Sequence, residues 1–211
     1  MKIKEKINNI LLLLDEHYPQ EDKCYLNYTH PYELMISTIL SAQCTDDRVN
    51  IVTKDLYRKY PTLEAFANAD VSEMEQDVKS TGFYRNKAKN IISSSRKLLK
   101  EYGSEMPSDI NELIKFAGVG RKTANVIRCH IFSIPSIVVD THVMRISYKL
   151  GLTKLKDPVK IEFDLMKKLP KEHWIRYNQQ IIAHGRAICK APTPKCEICF
   201  MTEYCTHFAS Q

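Results

Sequence analysis

The sequence has few residues that interrupt regular structure and no long apolar run. Six glycines and nine prolines among 211 residues are too few for a collagen-like protein, a linker-rich protein or a turn-rich β-sandwich. The longest apolar run, residues 10–14, is far short of the roughly 18 residues of a membrane span. Asp15 and Glu16 follow it without a small-residue cleavage site, so neither a signal peptide nor an anchor is expected. An intracellular protein is therefore expected.

The composition does contain a moderate positive charge and ample apolar residues. Lys and Arg number 31 against 25 Asp and Glu, a net charge of +6, which weakly favours a polyanionic partner. Apolar residues make up 44% of the chain, enough for a sizeable core and too many for a disordered protein. The length suits one or two domains.

Apolar residues recur at helical spacing along most of the chain and predict a succession of helices. The one β-branched cluster, residues 137–139, is too short to found a sheet, so the predicted fold class is all-α. The expected helices and their caps are residues 2–16, a helix from Pro31, residues 46–60 capped by Thr45, a short helix capped by Ser72 with Glu75, residues 84–102 closed by Gly103, residues 109–117, residues 121–132, a helix from Asp140 to residue 150, residues 158–168 and residues 173–188.

A glycine-containing turn at residues 118–120 separates two of these helices. Gly118 and Gly120, on either side of Val119, allow backbone conformations that a Cβ would forbid. The next helix begins immediately, so its positive dipole end and backbone N–H groups suit a phosphate, and Arg121 adds charge. The alternative is a tight helix–helix corner that binds nothing.

Lys122, in the first turn of that helix, is a candidate nucleophile. The dipole end and Arg121 would favour its neutral amine, which can form an imine with an aldehyde-like carbon. The alternative is an ordinary solvated lysine.

Asp140 follows the apolar residues 137–139 and precedes a helix, so its ordinary role is an N-cap. A partly buried carboxylate at this position could also face a cationic transition state or activate a nucleophile. The two roles are compatible, because a cap is held rigidly in place.

Four of the seven cysteines lie within seventeen residues, at Cys189, Cys196, Cys199 and Cys205. An odd number of cysteines in an intracellular chain does not indicate a disulfide framework, so this clustering predicts a metal site. Zinc accepts four thiolates, usually as two close pairs. Here only the middle pair is close, which favours a 4Fe-4S cluster without settling the choice. Lys190 and Lys195 flank the first loop and are either phosphate contacts or ordinary solvated lysines.

Together with the loop that contains Gln43, these segments resemble the endonuclease III family of DNA glycosylases in the helix-hairpin-helix superfamily. A loop glutamine could hydrogen-bond a base edge, although by itself it would be an ordinary loop residue. The resemblance covers essentially the whole chain. It rests on Ser-Ala-Gln-Cys-Thr-Asp at 41–46, Gly-Phe-Tyr-Arg-Asn-Lys-Ala at 82–88, Gly-Val-Gly-Arg-Lys-Thr-Ala at 118–124, Val-Asp-Thr-His at 139–142, His-Gly-Arg at 184–186 and the four cysteines.

The resemblance implies two helical domains with DNA in the cleft between them. Residues 22–134 would form a six-helix domain with the helix-hairpin-helix, and residues 1–21 with 135–211 would carry the 4Fe-4S cluster. The implied partner is double-stranded DNA that contains damaged bases or abasic sites. A monomer without membrane contact, cytoplasmic and associated with the nucleoid, is expected.

The resemblance also implies base excision repair of oxidised pyrimidines by a bifunctional N-glycosylase and AP lyase. Lys122 matches the catalytic lysine, which attacks C1′, leaves an imine and permits β-elimination, and Asp140 matches the catalytic aspartate. Gln43 matches the residue that fills the hole left by the flipped base, and Phe83 lies where the family has an apolar wedge. The cluster would shape a basic DNA-binding loop over residues 189–196.

Two alternatives remain open at this point. A monofunctional adenine-mismatch glycosylase lacks the hairpin lysine and carries a glutamate in the helix before the glutamine loop, whereas here Lys122 is present and residues 36–40 contain no acid. A non-enzymatic helix-hairpin-helix DNA-binding protein with zinc at its cysteines would be colourless, whereas a four-iron cluster is brown.

Overall fold

The structure, a computed structural model, describes residues 2–18 and 24–210. Within these ranges it contains α-helices and short 3₁₀-helices but no β-strand, which confirms the predicted all-α fold class. None of the helices in the described ranges has the length and apolarity needed to cross a bilayer. The α-helices are α1 (Ile3–His17), α2 (Pro31–Leu40), α3 (Asp46–Lys59), α4 (Leu63–Asn68), α5 (Val71–Asp77), α6 (Tyr84–Tyr102), α7 (Ile110–Leu113), α8 (Arg121–Phe132), α9 (Thr141–Lys149), α10 (Pro158–Lys168), α11 (Trp174–Ala187) and α12 (Thr206–Ala209).

Several predicted helix ends are confirmed. The Thr45 side chain accepts a hydrogen bond from the Arg48 N–H at the start of α3. Asp140 caps α9 in the same way. Gly103, with φ +58°, ends α6 in the left-handed conformation that glycine adopts without a steric penalty.

The predicted cap of α5 is wrong. Asp70, not Ser72, accepts the capping bond, from the Glu73 N–H at 2.9 Å. Asp and Ser are comparable caps, and here the carboxylate directly before Val71 takes that position.

The predicted helix over residues 109–117 is too long, because α7 ends at Leu113. The Lys115 and Phe116 N–H groups then bond three residues back, to Glu112 and Leu113. These tight turns carry the chain into the turn at Gly118. Helix α4 was not predicted; its cap Thr62 accepts a hydrogen bond from the Ala65 N–H at 3.2 Å.

The described chain divides into two compact units. The central unit is Cys24–Ile134, and the terminal unit consists of the described residues of Met1–Lys23 and Pro135–Gln211.

The core of the central unit surrounds α2. Residues 33–40 are all buried, and α2 packs against α3, α6 and α8. Ile91 and Leu98 of α6 are likewise fully buried. Each such side chain stabilises the fold by roughly 1.5–3 kcal/mol relative to exposure. This core holds the C-terminal end of α2, which leads into the loop of Gln43, and it holds α6, which directly follows Phe83.

The core of the terminal unit joins segments that are distant in sequence. Ile7, Ile10, Leu11 and Leu14 form the buried face of α1, which packs against α11, and α11 packs against α9. Tyr177 of α11 is fully buried, and its hydroxyl lies 2.8 Å from the Ser147 hydroxyl of α9. The paired α9 and α11 position Asp140 at the start of one helix and Cys189 just beyond the end of the other.

Candidate functional site

The turn between α7 and α8 requires glycine at its first position. Gly118 has φ +78°, and a Cβ built there would lie 2.8 Å from Nδ2 of Asn90 on α6. The Val119 N–H donates to the Phe116 carbonyl at 3.1 Å, and both side chains are buried. The apolar side chains therefore anchor the turn in the core, while Gly118 and Gly120 are exposed.

Helix α8 presents its N-terminus directly after this turn. Its N-cap is Gly120, which has no side chain to satisfy the first backbone N–H groups, and the Ala124 N–H closes the first turn on the Gly120 carbonyl at 2.9 Å. Lys122 is exposed in this first turn and Arg121 is half-buried. The arrangement combines a positive helix end with an accessible primary amine, which suits a phosphate or another anionic group.

Asp140 belongs to the terminal unit and is held by its capping bond. It is half-buried after the buried Val138 and Val139, and its Oδ1 accepts from the Val143 N–H at 2.8 Å. Asn178 of α11 donates to the Val138 carbonyl at 2.8 Å and so fixes the segment that leads to Asp140. The capping prediction is confirmed, and the catalytic role remains a prediction.

Gln43 and Phe83 are both exposed and both have left-handed backbone. Gln43 has φ +53° and Phe83 has φ +48°, a region that residues other than glycine rarely occupy. The Phe83 side chain is 63% exposed, an unusual position for a large aromatic ring. Each residue therefore extends from the central unit at a backbone conformation that its surroundings must maintain.

All four clustered cysteines line one cavity in the terminal unit. Ile146, Leu150 and Ile188 contribute apolar walls to this cavity. In the described part of the chain, no three His, Cys, Asp or Glu side chains are arranged to hold a single metal ion. Four thiols around one apolar cavity are the donor set that an iron–sulfur cluster uses.

Burial raises the pKa of the Cys189 thiol, although Lys149 and Arg145 act in the opposite direction. Burial likewise raises the pKa of Cys199. Arg145 also donates to the Cys189 carbonyl at 2.9 Å. Binding of a metal would require these thiols to lose their protons, and at Cys189 the nearby Lys149 and Arg145 favour the thiolate.

His184 lines this cavity and is a functional residue that was not predicted from the sequence beyond its place in the His-Gly-Arg motif. Its Nε2 lies 3.7 Å from the Cys199 sulfur, and its Nδ1 lies 3.0 Å from the Tyr18 hydroxyl. Burial lowers the pKa of His184 to about 4, so the ring is neutral at neutral pH. When Tyr18 donates to Nδ1, the remaining ring proton is on Nε2 and faces the Cys199 sulfur.

Gly185, in the same motif, permits a close approach of two helices. A Cβ at Gly185 would lie 2.2 Å from Nδ1 of His142 on α9. Gly185 and His142, which belong to two different motifs, are therefore packed against each other.

Lys190 and Lys195 are both exposed on the loop between the first two cysteines of the cluster. The Lys195 N–H donates to the Ile188 carbonyl at 3.0 Å, which closes the loop at its base. Both lysine side chains are accessible to an anion.

Comparisons with known proteins agree on one family. Residues 36–171 match the family of HhH-GPD superfamily base excision DNA repair proteins. The chain is 48% identical to endonuclease III of Synechocystis over 96% of this chain and 92% of that protein, and 47% identical to endonuclease III of Bacillus subtilis over 87% and 84%. It is also similar to a solved trapped covalent intermediate of endonuclease III with DNA in an estranged-adenine complex, with a TM-score of 0.93, 42% identity and coverage of 100% and 99%. The chain belongs to the endonuclease III family, within the HhH-GPD superfamily of base excision DNA repair proteins.

Proposed function

We propose that this chain excises oxidised pyrimidines from duplex DNA as a bifunctional DNA N-glycosylase with AP lyase activity. The observation that carries the proposal is Lys122, an exposed amine in the first turn of α8 directly after the glycine turn. A protein that only binds DNA would need positive charge at this position but not a primary amine. The similar endonuclease III has been trapped in a covalent intermediate with DNA.

The reaction begins when the damaged base is extruded from the duplex, at a lower cost for a poorly stacked lesion. The neutral Nζ of Lys122 forms a bond to C1′ as the bond from C1′ to the base breaks, and the base leaves with that electron pair and takes up a proton. Loss of the Nζ proton and opening of the C1′–O4′ bond leave an imine. Removal of a proton from C2′ then breaks the C3′–O bond, which cuts the strand by β-elimination.

Asp140 assists the first step. Its carboxylate, fixed by the Val143 N–H, activates the nucleophile or stabilises the positive charge that develops at the sugar. The capping bond uses one lone pair of Oδ1, so Oδ2 and the second lone pair of Oδ1 stay available for this role.

DNA binding rests on backbone groups more than on side chains. A phosphate binds at the glycine turn and the start of α8, where the contacting residues are Gly118, Val119, Gly120 and Arg121. Lys190 and Lys195 add phosphate contacts from the loop of residues 189–196.

Gln43 fills the space left by the flipped base, and Phe83 wedges between neighbouring bases. The exposure of both side chains supports these roles. The protein acts as a monomer at the nucleoid, where its substrate is.

Cys189, Cys196, Cys199 and Cys205 hold a 4Fe-4S cluster in the proposed enzyme. Their common cavity and all-sulfur donor set fit this group. When bound, the cluster would supply no hydrolytic chemistry. Its four cysteine ligands would hold the loop of residues 189–196 for contact with DNA. The proposed cluster domain, predicted over residues 1–21 with 135–211, corresponds to the terminal unit, and the proposed helix-hairpin-helix domain, predicted over residues 22–134, corresponds to the central unit. The two units divide between residues 23 and 24, two residues from the predicted boundary.

Borohydride trapping tests the central step. The substrate is a duplex with one thymine glycol, and wild type is compared with Lys122→Ala and with Lys100→Ala, which removes an exposed lysine near the end of α6. A covalent protein–DNA product is expected with wild type and Lys100→Ala but not with Lys122→Ala. Base release without a trapped product in wild type would favour a monofunctional glycosylase, and binding without base release would favour a non-enzymatic DNA-binding protein.

A further inference from the structure

Lys87 is a buried lysine whose ammonium group joins the ends of two separate segments. Lys87 is only 3% exposed. Nζ donates to the Leu40 carbonyl at 2.8 Å and to the Thr81 carbonyl at 2.7 Å. Leu40 is the last residue of α2, and Thr81 is the last residue of the 3₁₀-helix Lys79–Thr81. Both acceptors are helix-terminal carbonyls, which have no partner within their own helix.

Each of these carbonyls lies just before one of the two exposed left-handed residues. Gln43 follows Leu40 by three residues, and Phe83 follows Thr81 by two. Such backbone conformations persist where the surrounding structure fixes them. A single ammonium group thus fixes the starting points of both loops and the distance between them.

Burying the charged ammonium group of Lys87 costs free energy, which its two hydrogen bonds to carbonyl groups offset. Burial lowers the pKa of Lys87, although the nearby Cys44 thiol acts in the opposite direction. An apolar side chain would fill the same space without desolvating a charge. It would not, however, bond to two carbonyls.

We infer that Lys87 is a positioning residue that sets the two loops so that Gln43 and Phe83 engage the duplex at the same lesion. This inference rests on the proposed function, in which these two side chains contact DNA. Lys87 itself touches no reacting atom. Its role is to supply the geometry from which the base is extruded and its space is filled.

A mutant cycle on a thymine glycol duplex tests the inference. Lys87→Met keeps the aliphatic stem and removes both hydrogen bonds. Because a displacement of about 1 Å in a positioning contact can lower the rate by about 100-fold, a loss of kcat/KM approaching that size is expected. Lys100→Met is the matched control and should leave kcat/KM within about twofold of wild type.

The same substitution is then made in a chain that already carries Gln43→Ala and Phe83→Ala. If Lys87 acts through these two residues, Lys87→Met should lower kcat/KM by less than about threefold further, because coupled residues are not additive. An undiminished loss in this background would overturn the inference, as would wild-type kcat/KM in the single variant.

Folding is monitored separately by circular dichroism and thermal melting. If Lys87→Met does not fold, Lys87→Arg takes its place. Its planar guanidinium keeps the charge and donors but cannot reproduce the ammonium geometry at both carbonyls, so a smaller loss with the same dependence on Gln43 and Phe83 is expected. The two kinds of failure can be distinguished. If the proposed function is wrong, wild type itself gives no borohydride-trapped product; if only this inference is wrong, wild type still gives that product.

Discussion

The Ser94 hydroxyl of α6 donates a 2.9 Å hydrogen bond to the Ala117 carbonyl at the entrance of the glycine turn. Ser94 is completely buried, and Asn90, one turn earlier on α6, lies directly beneath Gly118. The glycine turn, which we propose as a phosphate-binding site, is therefore held by the adjacent helix, and substitutions at the α6 residues that contact it should alter DNA binding.

Ser94→Ala should destabilise the protein by about 1–3 kcal/mol, because it leaves the Ala117 carbonyl without this donor. Urea unfolding measures the change. Affinity for a duplex with an abasic-site analogue should also fall, since the turn loses its connection to α6. Unchanged stability and affinity would show that another group or water replaces the hydroxyl.

Gly118→Ala should destabilise the fold far more than Gly120→Ala. Alanine at position 118 meets both the positive φ and the contact with Asn90, a cost of about 1–2 kcal/mol for the backbone alone. Gly120 has φ −87°, and a Cβ added there would have no neighbour within 4 Å, so Gly120→Ala is the matched control. Thermal melting of the two variants side by side makes the comparison, and equal melting temperatures would contradict it.

Asp140→Asn and Asp140→Ala should separate the cap from the chemistry. Asparagine caps helices about as well as aspartate, whereas alanine costs about 0.5–2 kcal/mol of stability. Both variants should slow base release by about 100- to 10,000-fold. Single-turnover base release and denaturant unfolding measure the two effects. An asparagine variant that releases the base at the wild-type rate would remove Asp140 from the mechanism.

Cys199→Ala should abolish the brown colour of the purified protein, and iron analysis of wild type should find about four irons per chain. Cys24→Ala is the control, because Cys24 lies in the central unit and outside the cysteine cavity. Stoichiometric zinc in a colourless wild-type protein would mean that the cysteines hold zinc instead.

Acidification should destabilise the terminal unit partly through His173. Burial and then Arg176, which donates to the ring, lower the pKa of His173. The folded state thus binds this proton more weakly than the unfolded state, so the stability is full above the unfolded pKa of about 6.5 and decreases as the pH falls through it. The melting temperature should fall between about pH 7.5 and about pH 5.5, and less so in His173→Gln. An equal fall in that variant would assign the effect to other groups, of which His184 is one.

Local sequence signals predicted most of the helices but not the groups that depend on tertiary contacts. Thr45, Gly103 and Asp140 act on neighbours within a few residues, so their caps could be read from the sequence. Lys87 could not be distinguished from a solvated lysine, because its acceptors are backbone carbonyls, which have no sequence signature. The end of α7 was wrongly predicted for a related reason. The turn that follows α7 is positioned by Asn90 and Ser94 of α6, and such a contact between helices cannot be read from the local sequence.

The hydrogen bond between the Lys6 ammonium and the Thr206 hydroxyl, at 3.0 Å, has a consequence for synthesis on the ribosome. The first helix leaves the ribosome long before the helices that cover its apolar face exist. At about 5–20 residues per second, the 200 residues between these two positions take about 10–40 s to translate. For most of that interval, until α11 has been made, the apolar face of α1 lacks its native partner, so the nascent chain must keep it from aggregating while the residues of the central unit emerge.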